Sequence, residues 1–514
     1  PLSLPQLIGA DSVACRARTG ATVDAFAAGW TDWAQLQTPF PAPQGQFVQF
    51  QIVPAAGAIP LPDRIPLTLT CAGRETPTPA GPARPNIVLI GIDTLRADHL
   101  SAYGYDKPTS PAMDRLGTEG VLFLDAVSQV STTRPSFCSI MTGIHPWDIT
   151  YKGRSPDDRI TNGWRMVDDE ASTVEALHAA GYYCGAIIGA APLQGKKARL
   201  AAGFDVFDDD LGPADPTGKI IAMRTGDAVT AQAVSFLNEA LERENPFFLF
   251  VHYYDPHLAY EAPPENNVRV FESSRHPLVS AYDGEINFVD DQVHALVAFL
   301  KDKGLYDDAW ILLLADHGET LDEHYVHFTH ADVYESCIHV PMMFKFPAGW
   351  GIPPGAVAQP ARLIDVMPTV LDFLALPMPG AADRRRRGVS LKPWLTGAHG
   401  QTPWPVQLTF SFKQCILGHA GLPDHLTEHF AARTPRAKLL MDGARTEELY
   451  NVAADPDERA DLARRDPEAG GALRAELNGF FFSEERDRTV RRYDSSEHEI
   501  DADHLRKLEA LGYL

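Results

Sequence analysis

Four stretches of the chain are near-continuous apolar runs: "NIVLIGID" (86–93), "YYCGAIIG" (182–189), "PFFLFVHYYD" (246–255) and "AWILLLADHG" (309–318). Strands covered on both faces read this way, because neither side needs polar residues. Between them, apolar positions recur at helical spacing in "GDAVTAQAVSFLNEALER" (226–243) and "FVDDQVHALVAFLKDKG" (288–304). The alternation predicts an α/β domain over 86–514 built on a doubly wound, mostly parallel sheet. The first 74 residues differ. Period-2 alternation in "QFVQFQIVP" (46–54) and "IPLTLTCA" (65–72), broken by Pro and Gly, predicts a small all-β sandwich at 1–74. The Pro-rich residues 75–85 read as a linker. Near the other end, "AKLLMDG" followed by "EELYNVAADPDERADLA" predicts a small strand layer and a helix packed on the main sheet, in a subdomain of about 405–514. No internal repeat is present.

Composition changes this picture little. The chain has 514 residues, 45% hydrophobic and 22% charged, which is ordinary globular usage. Its net charge of -23 argues against a nucleic-acid partner. It does not exclude an anionic substrate, since a bound cation reverses the field in a small pocket. The six cysteines form no C-x-x-C pair, so a cysteine zinc site is not expected. Cys15 and Cys71 are placed to bridge if the protein is exported, and Cys138, Cys184, Cys337 and Cys415 read as buried small residues. No apolar run reaches transmembrane length. A leader removed ahead of Pro1 would place the protein in the periplasm or outside the cell.

Candidate chemistry sits where the buried runs end. The first ends at Asp93, the third at His252, Asp255 and His257, and the fourth at Asp316 and His317. In open α/β sheets the site lies at the carboxyl ends of the strands, so these groups are expected to converge. Carboxylates with a neutral imidazole suit a divalent cation, Zn, Mn, Ca or Mg. One such Asp is more simply a helix cap; several in neighbouring strands favour a shared site.

The ordered motifs "PNIVLIGIDTLRADHLSAYGY", "DPHLAY", "ADHGETLDEH" and "ELYNVAADPDE" resemble the sulfatase-like branch of the alkaline phosphatase superfamily over about 85–514. Sulfatases carry a Cys or Ser that is oxidised to formylglycine, followed by x-Pro-Ser-Arg and later Thr-Gly. In "STTRPSFCSIMTG" the frame puts Thr133 at the formylglycine position, then Arg134, Pro135 and Ser136, with Phe137 where the Arg stands and Thr142-Gly143 closing the motif. The chain therefore resembles members that use an unmodified Thr on phosphoryl groups. The resemblance implies Asp93, Thr133, Asp316 and His317 as metal ligands and Thr133 as nucleophile. It implies His257 and His330 as groups that assist the reacting ester, with His324 and His327 as weaker choices for the second position. Asp255 either orients His257, ligates a second cation or caps a turn, the first and last being favoured. Arg134, Arg96 and Lys197 are candidate substrate contacts. Arg96 alternatively pairs with Asp98, and Lys197 alternatively sits in a solvated loop. Ala190 and Leu193 fall where sulfatases place a Lys and a His.

These features lead to a metal-dependent hydrolase of anionic esters, most readily a phosphate mono- or diester or a phosphonate ester. The alternatives are a sulfate ester hydrolase without formylglycine, a phospho-group transferase, or a non-catalytic binder of a glycan or lipid headgroup. The substrate is a small molecule or an ester carried on a glycan or lipid. Trp30 and Trp33 are either core residues or part of a carbohydrate-binding face.

Overall fold

The computed structural model describes residues 84–148, 172–195, 200–212, 223–270, 277–321, 323–324, 330, 332–380, 387–397, 406–413, 427–442, 447–463, 465 and 470–481, with three strands in the first 54 residues. It separates into two units, Pro1–Ala72 and Gly73–Leu514. In the first unit, strands β1 (Val13–Gly20), β2 (Ala34–Gln35) and β3 (Phe47–Pro54) form an antiparallel sheet in the order β2-β1-β3. The strand expected at 65–72, Cys71 and most of the linker lie outside the described residues.

The second unit is the expected α/β domain. In chain order it contains β4 (Ile87–Ile92), α1 (Pro111–Glu119), β5 (Val121–Phe123), β6 (Ala126–Val127) and α2 (Thr133–Thr142). There follow α3 (Thr173–Ala179), β7 (Tyr183–Ile187), β8 (Val206–Asp208), α4 (Gly226–Leu241), β9 (Phe247–Tyr253) and α5 (Pro264–Val270). Next come α6 (Pro277–Asp302), β10 (Trp310–Ala315), α7 (Glu335–Ile338), β11 (Met342–Lys345), β12 (Gly355–Val357), β13 (Ala361–Arg362), α8 (Val366–Phe373) and α9 (Lys392–Leu395). The main sheet runs β12-β5-β11-β10-β4-β9-β7-β8. Pairing is parallel from β10 through β8 and antiparallel around β11. Every residue of β4, β9 and β10 is buried, as continuous apolar runs require.

The register places the chemistry. Ile92 of β4 pairs with Ala315 of β10 and with Tyr253 of β9. The next residue on each strand is Asp93, Asp316 and Tyr254, so three adjacent strand ends deliver their polar residues to one place. Helix α2 is buried along its whole length and starts at Thr133. It stops at Gly143, whose φ of 69° is the left-handed conformation that closes a helix without side-chain penalty.

Beyond the main sheet, β14 (Gln407–Lys413), β15 (Thr427–Arg433), β16 (Lys438–Asp442) and β17 (Glu447–Tyr450) form an antiparallel layer covered by α10 (Gly471–Phe481). The expected C-terminal helix is thus corrected in two ways. Residues 451–463 form turns, and among the described residues the C-terminal helix, α10, packs on β15 and β16, not on the main sheet. Side chains explain the turns. Asp455 accepts from the backbone N–H of Arg459 and Ala460, and Asp461 from Leu449 and Ala463, offering the backbone partners other than helical carbonyls. Phe430, Leu439, Leu477 and Phe481 form the small core of this layer.

A buried charge cluster ties the layer to the main domain. Arg433 of β15 donates to Glu335 of α7 at 2.8 Å and to Asp125 at 2.6 Å. Lys438 of β16 meets Glu335 at 3.1 Å and Glu458 at 2.9 Å. Removing one partner leaves buried charge uncompensated. Arg433→Ala is expected to lower stability by about 3–5 kcal/mol, read from the urea midpoint; an unchanged midpoint would contradict the clamp.

Candidate active site

Asp93, Asp316 and His317 place one ligand atom each within 4.8 Å of one another, all buried. His317 Nε2 lies 3.7 Å from Asp93 Oδ1 and 3.4 Å from Asp316 Oδ2. His317 Nδ1 sits 2.9 Å from the Gly318 carbonyl, so this nitrogen carries the proton and Nε2 offers its lone pair to the cluster. Asp316 is pinned from behind: its Oδ1 accepts from the backbone N–H of His317 and Thr94, and its carbonyl accepts from Ser128 and Ser136. Thr133 enters from the first turn of α2. Its Oγ1 donates to Asp93 Oδ2 at 3.1 Å and lies 3.4 Å from His317 Nε2. Thr132, not Thr133, is the helix cap.

Two observations fit a divalent cation. First, Asp93 Oδ1 and Asp316 Oδ2 are buried with no hydrogen-bond partner, although such oxygens are normally satisfied. Second, the two carboxyls crowd each other. Burial and the neighbouring Asp93 carboxylate push Asp316 well up, whereas for Asp93 the opposing cost of burial is outweighed by His252, His257 and His317, giving about 2. Burial, with His330 alongside, pushes His317 down to about 3, so its imidazole is neutral and available as a ligand. A hard or borderline cation would match this donor set and relieve the like-charge repulsion.

Around this centre the histidines gather. The His257 ring stacks on Tyr254 at 4.4 Å and meets the His330 ring edge-on at 5.2 Å. His330 lies 4.7 Å from the His317 ring. Burial holds His257 below the ordinary histidine range, and its Nδ1 faces the Leu258 carbonyl at 2.8 Å. Of the two favoured readings of Asp255, the one in which it orients His257 is corrected: the Leu258 carbonyl faces His257 Nδ1 instead. His324 instead stacks on Tyr334 at 3.8 Å, while His327 and Lys197 lie outside the described residues. Arg96 takes the pairing alternative. Its guanidinium meets Asp98 at 2.6 Å and Glu323 at 2.8 Å and donates to the Glu319 carbonyl. Arg134 is buried, with Nε on the Pro192 carbonyl at 2.8 Å. It thereby holds the loop in which Ala190 and Leu193 are fully buried.

Three further residues carry no role in the sequence reading. Glu319, within the quoted "DHGE", is buried, accepts from Tyr260 at 2.5 Å and lies 3.7 Å from His330 Nδ1. Thr94 follows Asp93 with φ 53° and a buried Oγ1 that has no partner. Glu285 of α6 accepts from the Glu261 backbone and leaves Oε2 unpartnered beside Asp255, whose Oδ2 is also unpartnered.

The comparisons agree with this architecture. Residues 85–376 match the family model described as Sulfatase. The chain is 26% identical to human arylsulfatase A over 402 residues, covering 69% of this chain and 74% of that protein. It is 24% identical over 490 residues to the multifunctional alkaline phosphatase superfamily protein PehA of Trinickia caryophylli, covering 73% and 92%. Among solved structures, the phosphonate monoester hydrolase of Agrobacterium radiobacter superposes with a TM-score of 0.61 at 20% identity, covering 80% of this chain and 100% of that one. An α/β hydrolase of the alkaline phosphatase superfamily, acting on sulfuric or phosphoric ester bonds, is thus the class that fold and relatives define. Within it, the chain belongs to the sulfatase family.

The carboxyl pair behind the site gives a stability signature. Burial raises Asp255 to about 6, and burial together with Asp255 raises Glu285 to about 8. Between the ordinary carboxyl range near 4 and pH 8 the native state therefore holds more protons than the unfolded chain, so stability falls as pH rises through that window. Glu285→Gln mimics the protonated acid. Its unfolding midpoint is expected to gain on the wild type more at pH 8 than at pH 5, and an equal difference at both would contradict the pair.

Proposed function

We propose that the chain hydrolyses a phosphate mono- or diester or a phosphonate ester, with unmodified Thr133 as nucleophile and a divalent cation at Asp93, Asp316 and His317. The observation that carries this reading is the Thr133 hydroxyl, 3.1 Å from Asp93 Oδ2 and 3.4 Å from His317 Nε2, at the first turn of a buried helix. Thr cannot become formylglycine by the route open to Cys or Ser, so the hydroxyl itself is the available nucleophile. The cation, when bound, supplies Lewis acidity to the ester and lowers the pKa of a ligated hydroxyl.

The protein groups do the rest. Thr133 Oγ1 forms the bond to phosphorus as its proton passes toward Asp93 Oδ2, and the bond to the departing oxygen breaks. His330 in its protonated form gives that oxygen its proton. In the second half, the lone pair of His257 Nε2 takes a proton from water, whose oxygen attacks phosphorus as the bond to Thr133 Oγ1 breaks; Asp93 Oδ2 returns its proton to Oγ1, and His257 passes its own on to His330. The backbone N–H groups at the start of α2 offer an anion a further set of donors.

Charge narrows the ester. Among the described residues, Arg96 is held in ion pairs and burial keeps His257 neutral. A phosphate monoester brings about two negative charges at pH 7; a singly charged phosphodiester or phosphonate monoester asks less of such a site. The second reading is a sulfate ester, also singly charged, which the relative named arylsulfatase A favours. A glycan- or lipid-linked ester handled in the periplasm or outside the cell is consistent with either.

The test uses matched aryl phosphate monoester, phosphodiester, phosphonate and sulfate substrates with added Mn, Zn, Mg or Ca. Thr133→Ala is expected to lose on the order of 10³-fold or more in turnover, and Thr133→Ser to retain part of it. Phosphodiester or phosphonate should exceed monoester. Turnover untouched by Thr133→Ala would sink the nucleophile, and a preference for the sulfate would select the second reading.

A further inference from the structure

His252 is fully buried on β9, in the register position opposite Gly91 of β4. In a parallel pair, opposed residues share a face, and Asp93 lies two positions beyond Gly91 on that same face. Gly91 contributes no side chain there. A Cβ at Gly91 would stand 2.6 Å from the Phe137 ring, so its absence makes the room that Phe137 occupies. The Phe137 ring then meets the His252 ring edge-on at 5.1 Å and 86°. Phe137 is the residue that stands where sulfatases carry an Arg.

With the ring fixed, its two nitrogens have distinct surroundings. His252 Nδ1 receives the backbone N–H of Gly189 at 3.4 Å, an approach that needs glycine because a Cβ there would lie 2.6 Å from the His252 carbonyl. A nitrogen that accepts cannot carry the ring proton, so Nε2 carries it. That N–H has no partner within hydrogen-bond distance, and Asp93 Oδ2 is 3.6 Å away. A buried donor left unmade is costly, so a small closing motion toward Asp93 is favoured.

We infer that His252 is a positioning residue for the metal site: its Nε2–H holds Asp93 Oδ2, turning Oδ1 toward Asp316 and His317. The donor comes from the sheet, at a site where the helix presents Phe137 in place of a cation. Thr133 Oγ1 donates to the same Oδ2, so one oxygen of Asp93 gathers both donors and the other is left for the cation. Losing a group that orients a metal-binding side chain commonly costs about 10–100-fold in metal affinity. This inference rests on the proposed cation site.

The test measures Mn and Zn affinity of the full chain by equilibrium dialysis for wild type, His252→Leu and His252→Gln, with the melting of each metal-free protein followed by circular dichroism. Leu fills the space without a donor, whereas the Gln amide can place N–H near the Nε2 position. The expectation is that His252→Leu binds metal about 10–100-fold more weakly, that His252→Gln restores most of the affinity, and that the metal-free proteins melt alike. Wild-type affinity in His252→Leu, or an equal loss in His252→Gln, overturns the inference and leaves the cation site standing. Failure of the wild type to bind either metal overturns both. Should His252→Leu not fold, His252→Asn takes its place, since the shorter amide falls short of Asp93.

Discussion

Two carboxyls, Asp93 and Asp316, are driven together at zero exposure by the pairing of β4 with β10, and much else in the domain follows from that enforced proximity. Like charges in a dry site repel strongly, and the chain places no Lys or Arg between them among the described residues. It answers instead with neutral imidazoles, backbone N–H groups on Asp316 and a hydroxyl on Asp93. That arrangement leaves one oxygen of each carboxyl unpartnered and facing a common point, which is a demand for a cation made by strand register.

The surroundings are arranged to withstand that demand. Helix α2 is buried at every residue and ends in a left-handed glycine, so Thr133 is fixed at its start and not carried on a loop. The histidines are spread over β9 (His252), the loop after it (His257) and the segment after β10 (His317 and His330), which lets four imidazoles approach the centre from separate segments. Behind them, burial and the neighbouring Asp255 raise Glu285 to about 8, so this carboxyl keeps near pH 7 a proton that an exposed one would lose. Keeping negative charge low there matters when the substrate is itself an anion.

How far the sequence reveals this depends on the range of the interaction. The buried strands were legible because β4, β9 and β10 are buried along their whole length and so are apolar at nearly every position, and their polar ends marked the site. Helix α6 begins at Pro277, well before the expected start near 288, because Tyr282, Asp283, Glu285 and Asn287 are buried polar residues and break the apolar period. Three are satisfied by distant chain, Asp283 by His99 and Lys107, Asn287 by Asn266 and Tyr282 by Thr94, while Glu285 meets the Glu261 backbone through one oxygen only. The same holds for Glu319, whose partner Tyr260 is remote, and for the turns at 451–463, where Asp side chains compete with a helical pattern. Periodicity reports burial, not who satisfies a buried polar group.

The departures from the family motif are best understood together. Substituting Thr at 133 removes the possibility of formylglycine, and Phe at 137 removes a guanidinium from the same helix face. Phe137 fills the volume over Gly91, and His252 stands where an N–H can reach Asp93. A helix residue thus supplies volume beside the site and a strand residue a donor. On the proposed function, a Thr133 nucleophile needs its neighbouring carboxylate held still, and the sheet is a rigid element from which to hold it.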